Sequence, residues 1–221
     1  MKKFIFIMIL SISLISMLNA QSMKFGIELG GSFTNLEYTE NFDFWHPEIT
    51  NSLNLMVFSE LNYSKNFLQQ FGIRYVQQGS HIKYEDFHNF GGHSVHVKGN
   101  HDLKQNYISI PLRVIYNFGG QSFFAFAGPE FSYLISSSYD HIQESPDPES
   151  NTYSEDITDD LNRVNISMGI GLGLSFPLLS QNFYILTQYS HGLTGNAKED
   201  RWAFDWKTRE FSISVGYFLP I

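Results

Sequence analysis

The residues of this chain whose types could do chemistry are serines beside histidines, a concentration of histidines, and a run of carboxylates. Ser190-His191 and His93-Ser94 are the adjacent pairs that would offer a nucleophile and a base. Neighbours on an extended strand point to opposite faces, so neither pair can easily bond side chain to side chain, and both read as polar rim positions. His81, His88, His93, His96 and His101 gather in one polar stretch, and zinc or copper takes imidazole ligands. Their spacing does not recur as a ligand motif and the chain has no cysteine, so no metal is assigned to them. Asp140, Glu144, Asp147, Glu149, Glu155, Asp156, Asp159 and Asp160 crowd a segment without Lys or Arg. They lack the spaced carboxylates and glycine of a calcium loop, and solvation of an exposed loop accounts for them. The expectation is no catalytic residue, no cofactor and no metal.

A second set of charges is more informative because of where it falls. Glu28, Glu60, Arg74, Arg113, Glu130 and Glu210 lie in six separate alternating segments, each on the polar parity. In a closed barrel they could meet inside as a carboxylate–guanidinium network that plugs the lumen; the other reading places some of them at the rims in water.

The elements that must position these charges are strands. The last, Thr208 to Leu219, sets Phe211, Ile213, Val215, Tyr217 and Leu219 against Glu210, Ser212, Ser214, Gly216 and Phe218. The clearest, Val164 to Phe176, alternates large apolar residues with Asn165, Ser167, Gly169, Gly171, Gly173 and Ser175. Further strands are predicted at about 23–33, 52–63, 67–84, 103–118, 122–136 and 183–193. In the 183–193 strand the pattern leaves open whether Tyr184 and Leu186 or Ile185 and Tyr189 face outward. Pro111 falls inside one strand and predicts a bulge or local irregularity, since proline cannot donate to the ladder.

Between these strands polar segments at about 34–51, 85–102, 138–161 and 194–206 read as long loops, and 64–66, 119–121 and 177–182 as short turns. Eight strands with alternating long and short connections are the plan of an up-and-down antiparallel transmembrane β-barrel, loops outside the cell and turns in the periplasm. Tiny and polar residues then face a narrow lumen, filled by side chains in place of an open pore, and the large apolar residues face lipid.

Bulk properties narrow the class. The 221 residues suit one domain, and 21 Phe with 12 Tyr fit interfacial girdles. With 14 basic against 22 acidic residues and a formal charge of −8, a nucleic-acid partner is not expected. The absence of cysteine also removes disulfides and a lipoprotein attachment site. Residues 1–20 read as a signal peptide, with Lys2 and Lys3 before an apolar run from Phe4 to Leu18 and cleavage after Ala20; residues 21–221 form the barrel domain.

Several stretches stand out together: Ala20-Gln21, the F-G-I-E-L-G-G first strand, N-Y-I-S-I-P-L at 106–112, A-G-P-E at 127–130, G-I-G-L-G-L at 169–174 and Y-S-H-G-L-T at 189–194. With them the chain resembles the PorT-like outer-membrane β-barrel family of Bacteroidetes-type bacteria. The resemblance covers the mature chain and implies an outer-membrane location; one branch of the family is associated with protein secretion. Ser214, Gly216, Tyr217 and Leu219 resemble the assembly signal of a closing barrel strand, although Pro220-Ile221 stand where a terminal aromatic is usual.

The expected function is therefore a non-enzymatic outer-membrane barrel acting as a structural, surface-interaction or secretion-accessory element. Its partners would be outer-membrane lipid, the barrel-assembly machinery, and envelope or secretion-system proteins. A lipid-modifying barrel enzyme is one alternative. A soluble calycin-like barrel with its apolar faces inward is the other.

Overall fold

Alternating residues with a bulky side chain on one parity and a small or polar one on the other build the strands β1 (Ser22–Tyr38), β2 (Trp45–Glu48), β3 (Thr50–Asn62), β4 (Phe67–Phe90) and β5 (His93–Asn117). They continue as β6 (Phe123–Glu144), β7 (Thr152–Asp156), β8 (Val164–Leu178), β9 (Gln181–Gly192) and β10 (Trp206–Phe218). The computed structural model describes residues 22–38, 45–90, 93–118, 122–144, 152–178, 181–198 and 205–220. The signal peptide expected at residues 1–20 lies outside them.

All pairings are antiparallel. β1 pairs β3, β3 pairs β4, β4 pairs β5, β5 pairs β6, β6 pairs β8, β8 pairs β9, β9 pairs β10, and β10 returns to β1. The result is a closed ring of eight strands, with β2 added beside β4 and β7 beside β6 at the long-connection end. β1 and β10 close it in register from Gly26↔Phe218 to Tyr38↔Trp206.

The outer surface carries what a soluble protein hides. Ile27, Leu29, Leu55, Val57, Ile73, Ile110, Val114, Ile170, Leu172, Ile213 and Val215 are exposed on their strands. Near the short turns this band ends in aromatic rings: Phe67 and Tyr116 (5.0 Å), Tyr116 and Phe118 (5.2 Å), Phe118 and Phe123 (5.2 Å), Phe183 and Tyr217 (5.0 Å). An apolar belt bordered by aromatics is what a bilayer selects on a barrel exterior. Leu61 departs from this pattern: its parity is outward, yet it is buried.

Two sequence expectations need correction. The segments at 85–102 and 138–161 are not simply loops. β4 and β5 form one hairpin paired up to Phe90↔His93, and β6 runs on to Glu144 before β7 pairs back upon it. At 24 residues and about 3.3 Å each, β4 rises roughly 80 Å, well beyond the ~30 Å hydrocarbon core. Beyond the bilayer a ladder needs no apolar face, so the alternation that marks the lower strands disappears while the pairing continues.

Pro111 causes no register shift, but the irregularity expected there takes another form: pairing to β4 lapses between Phe71↔Leu112 and Arg74↔Ser109, and pairing to β6 between Pro111↔Glu130 and Val114↔Ala127. The register shift lies between Asn106 and Tyr107, which pair with Ser136 and Leu134 and leave Ile135 of β6 as the extra residue. Leu134 faces the lumen below this bulge and Ser137 above it, so one inserted residue exchanges the faces of β6. Pro111 itself is buried inside an otherwise continuous strand.

The inward glycines have a specific use. Gly26, Gly171, Gly173 and Gly216 stand directly across the ladder from Phe58, Phe126, Phe124 and Tyr184. Each ring lies over its glycine: a Cβ on Gly171 would come within 2.3 Å of both the Phe126 ring and the Thr187 carbonyl oxygen. Gly171→Ala is expected to cost about 1–3 kcal/mol through overpacking. Urea unfolding in micelles reads this, and an unchanged midpoint would refute the close fit.

Candidate functional site: the ionic lumen

The inward parity of the ring brings charges from distant parts of the chain to its axis. Arg74 on β4 donates from Nη1 to Glu130 Oε1 on β6 at 3.1 Å and from Nη2 to Glu210 Oε1 on β10. Glu210 also accepts from Ser32 Oγ at 2.8 Å and Gln78 Nε2 at 3.2 Å, and Asn54 donates to Ser32 at 2.8 Å. One layer nearer the short turns, Arg113 on β5 grips Glu28 on β1 with Nη1 to Oε2 at 2.7 Å and Nη2 to Oε1 at 3.2 Å. Gln70 and Gln188 each accept a further Arg113 proton at 2.9 Å, and Tyr184 donates to Glu28 at 2.9 Å.

Arg74, Arg113, Glu28, Glu130 and Glu210 are all at most 4 % exposed, so the rim reading does not describe them. The two-pronged grip on Glu28 suits the guanidinium fork, which matches a carboxylate better than an ammonium does. Glu60 stands apart. It is only 6 % exposed, faces the lumen opposite Lys24 and Gln70, and joins neither arginine.

Apolar layers flank the ionic ones. Towards the long connections, Leu36, Val76, Leu103, Tyr107, Leu134, Ile157, Leu161, Ala197 and Trp206 pack into a cap across the barrel. The segments after β7 and β9 close over it: Asn196 accepts from Asn165 Nδ2 at 2.6 Å and donates to Thr208 at 3.0 Å, and Asn162 holds the Ala197 carbonyl at 2.8 Å. Leu36, Ile157, Leu161, Ala197 and Trp206 escaped the sequence reading because they come from polar segments without strand periodicity. Towards the short turns, Phe58, Leu68, Ile115, Phe124, Phe126, Tyr184 and Leu186 form a second cluster. It resolves the open facing of β9: Tyr184 and Leu186 point inward, Ile185 and Tyr189 outward.

The residues weighed for catalysis are separated. Ser190 is buried and meets Ser167 Oγ at 3.2 Å, while His191 lies on the opposite face near Glu37. The side chains of His88, His93, Ser94 and His96 lie outside the described residues. Among the described residues no group of three potential ligands is placed to hold a metal ion. His81 instead contacts Asp102, and His101 meets His141 with Nδ1 atoms 2.9 Å apart beneath the stacked Tyr139 ring. Asp140 accepts from Ser154 at 2.5 Å and Lys104 at 3.0 Å, which pins β7 to the hairpin; these two bonds hold its carboxyl below the usual range.

His101 lies above the apolar belt, which on β5 ends at Ile108. Burial, helped by the neighbouring His141 and opposed by Asp102, pushes its pKa down to about 4. A depressed histidine favours its neutral form in the fold, so its stabilising effect is complete above the unfolded value of ~6.5 and is lost as pH falls from there towards about 4. Hydrogen exchange of amides around His101 should quicken across that window, and its ring should titrate near the lower limit. A ring midpoint of roughly 6.5, the free-imidazole value, would contradict the packing.

A closed antiparallel ring with an apolar exterior and an ionic, side-chain-filled interior defines a transmembrane β-barrel of the outer-membrane type. The chain belongs to the outer membrane protein beta-barrel domain family, whose match spans residues 19–198, and its place is the bacterial outer membrane. No curated protein matches it in sequence.

Among solved structures the chain is similar to Neisserial surface protein A, at 12% identity and a TM-score of 0.46, covering 89% of this chain and 99% of that one. It is also similar to Ail, the attachment invasion locus protein of Yersinia pestis, at 12% identity and a TM-score of 0.40, covering 90% and 100%. The outer membrane protease OmpT of Escherichia coli is similar at 8% identity and a TM-score of 0.34, covering 90% and 97%. These likenesses are too distant to transfer an activity.

Removing Arg74 strands two buried carboxylates. Arg74→Met should cost about 3–5 kcal/mol, whereas Arg74→Met with Glu130→Gln and Glu210→Gln should regain most of it. Unfolding midpoints of the folded band on gels compare the two. Equal stability of the single and triple variants would show that the cluster is not a coupled unit.

Proposed function

We propose that this protein is a non-enzymatic outer-membrane barrel whose plugged lumen serves as a rigid post for the hairpin and loops it carries at the cell surface. The observation that carries the reading is the ionic lumen beneath the apolar cap: Arg74 and Arg113 bind the inward carboxylates Glu28, Glu130 and Glu210 and fill the middle of the barrel with side chains. Short turns and both strand ends Ser22 and Phe218 lie at one end, the periplasmic one in such barrels, which puts the β4–β5 hairpin outside. That hairpin and the β6–β7 ladder offer His81, Asp102, Lys104 and Asp140 as an exposed or half-exposed polar surface for a partner.

The PorT-like resemblance favours an envelope or secretion-system protein as that partner. Residues 1–20 would direct export, and Ser214, Gly216, Tyr217 and Leu219 would be read by the barrel-assembly machinery. Gly216 has a second duty, because a Cβ there would come within 1.9 Å of the Tyr184 ring. Of the pairs weighed for the lipid-modifying alternative, Ser190 and His191 face opposite ways, and the side chains of His93 and Ser94 lie outside the described residues. The calycin-like alternative required the large apolar faces inward, and they are outward.

Fractionation with a gel run before and after boiling tests the membrane reading: the protein should sediment with outer membranes and migrate faster unboiled. Recovery in the soluble fraction with no shift would sink it. For the surface role, replacing residues 81–102 with a short turn, which removes His81 and Asp102, should leave that gel shift intact while abolishing capture of envelope partners by cross-linking on whole cells. Unchanged capture would remove the hairpin from the proposal.

A further inference from the structure

Below the ionic layers the barrel is hollow. A cavity of about 530 Å³ opens at the short-turn end, with Phe124, Phe126, Tyr184 and Phe218 on its walls and Glu60 in its side. The volume is that of a small-molecule pocket and far exceeds what a few waters need. Glu60 is only 6 % exposed, and among the described residues no hydrogen bond or salt bridge holds its carboxylate, although Lys24 across the ladder attracts it. The three other carboxylates that face the lumen, Glu28, Glu130 and Glu210, are each bound by an arginine. An unpaired buried carboxylate is costly, and an opposite charge delivered into the cavity would offset that cost.

The walls suit the same charge. Tyr184 and Phe218 have ring centroids 5.5 Å apart and Phe124 and Tyr184 5.9 Å apart, so the rings form a continuous surface. Their faces already attract cations: Lys24 Nζ sits 5.3 Å from the Phe218 centroid, and the Arg113 guanidinium 4.9 Å from that of Phe126. Lys24 and Lys65 at the mouth are exposed, so water screens their charges more than that of the largely buried Glu60. Arg113 is neutralised by Glu28.

We propose that this vestibule is a binding site, open to the periplasm, for a small organic cation, an ammonium group on an apolar body, with Glu60 as counter-ion and the Phe124, Tyr184 and Phe218 rings as its aromatic wall. The inference rests on the barrel reading only for its address. The competing outcome is that Glu60 is held for Lys24, its cross-strand neighbour.

The test uses the full barrel domain folded in octyl glucoside micelles at pH 8.5, titrated with choline and with its neutral isostere 3,3-dimethylbutan-1-ol, and followed by NMR of the aromatic rings. Choline should shift Tyr184 and Phe218 saturably, the isostere at least tenfold more weakly. Glu60→Gln should weaken choline tenfold or more and leave the isostere unchanged, while Lys24→Gln should leave choline binding equal or tighter. Each variant must keep the migration shift on boiling, so loss of the barrel and loss of the site are read separately. Equal binding of choline and isostere, an unaffected Glu60→Gln variant, or loss of choline binding in Lys24→Gln would overturn the proposal.

Discussion

The structure depends first on the ladder between β1 and β10. In a bilayer no water is present to satisfy backbone amides and carbonyls, so a sheet can cross only if its two edges find each other. The chain places those edges at the two ends of its described sequence, and the barrel can close only when nearly all of it is made. Everything inside the ring follows from that closure: Glu210 on β10 reaches Arg74 on β4, and Glu28 on β1 reaches Arg113 on β5. None of these pairs exists on an open sheet.

Closure also explains the composition of the interior. Eight strands leave a lumen that side chains must fill, and two kinds of filling are present. Charged groups from opposite walls span the middle, where two guanidiniums answer Glu28, Glu130 and Glu210 with most donors used. Aromatic rings line the lower half by lying over glycines of the adjacent strand, which widens the lumen locally without losing contact. The small residues of β8 are thus places for the rings of β6, as Phe124 over Gly173 and Phe126 over Gly171 illustrate. The same division leaves the vestibule hollow, since rings pressed to the wall do not reach the axis.

Above the bilayer the rules change, and the reading from sequence changed with them. Where lipid demands an apolar face, alternation marks the strands clearly, with β9 as the exception. Beyond the bilayer the β4–β5 pairing persists without that mark, so a segment rich in His, Gly and Asn reads in sequence as a loop. The cap of Leu161, Ala197 and Trp206 was equally hidden, because its residues are isolated in polar stretches and converge only when the connections fold over the mouth.

The sequence by itself determined the facing of most strands, the closed eight-stranded ring and the inward set of charges. These are period-two properties, which a strand expresses wherever it is placed. Only the tertiary structure decided which charges meet. Arg74 takes Glu130 and Glu210, Arg113 takes Glu28, and Glu60 is left over, because partners across a barrel are set by the stagger of all eight strands. It also decided the inward turn of Tyr184 and Leu186 and the exchange of faces at Ile135. A single extra residue moves every later side chain to the other face, and whether a strand holds one depends on the neighbour it pairs with.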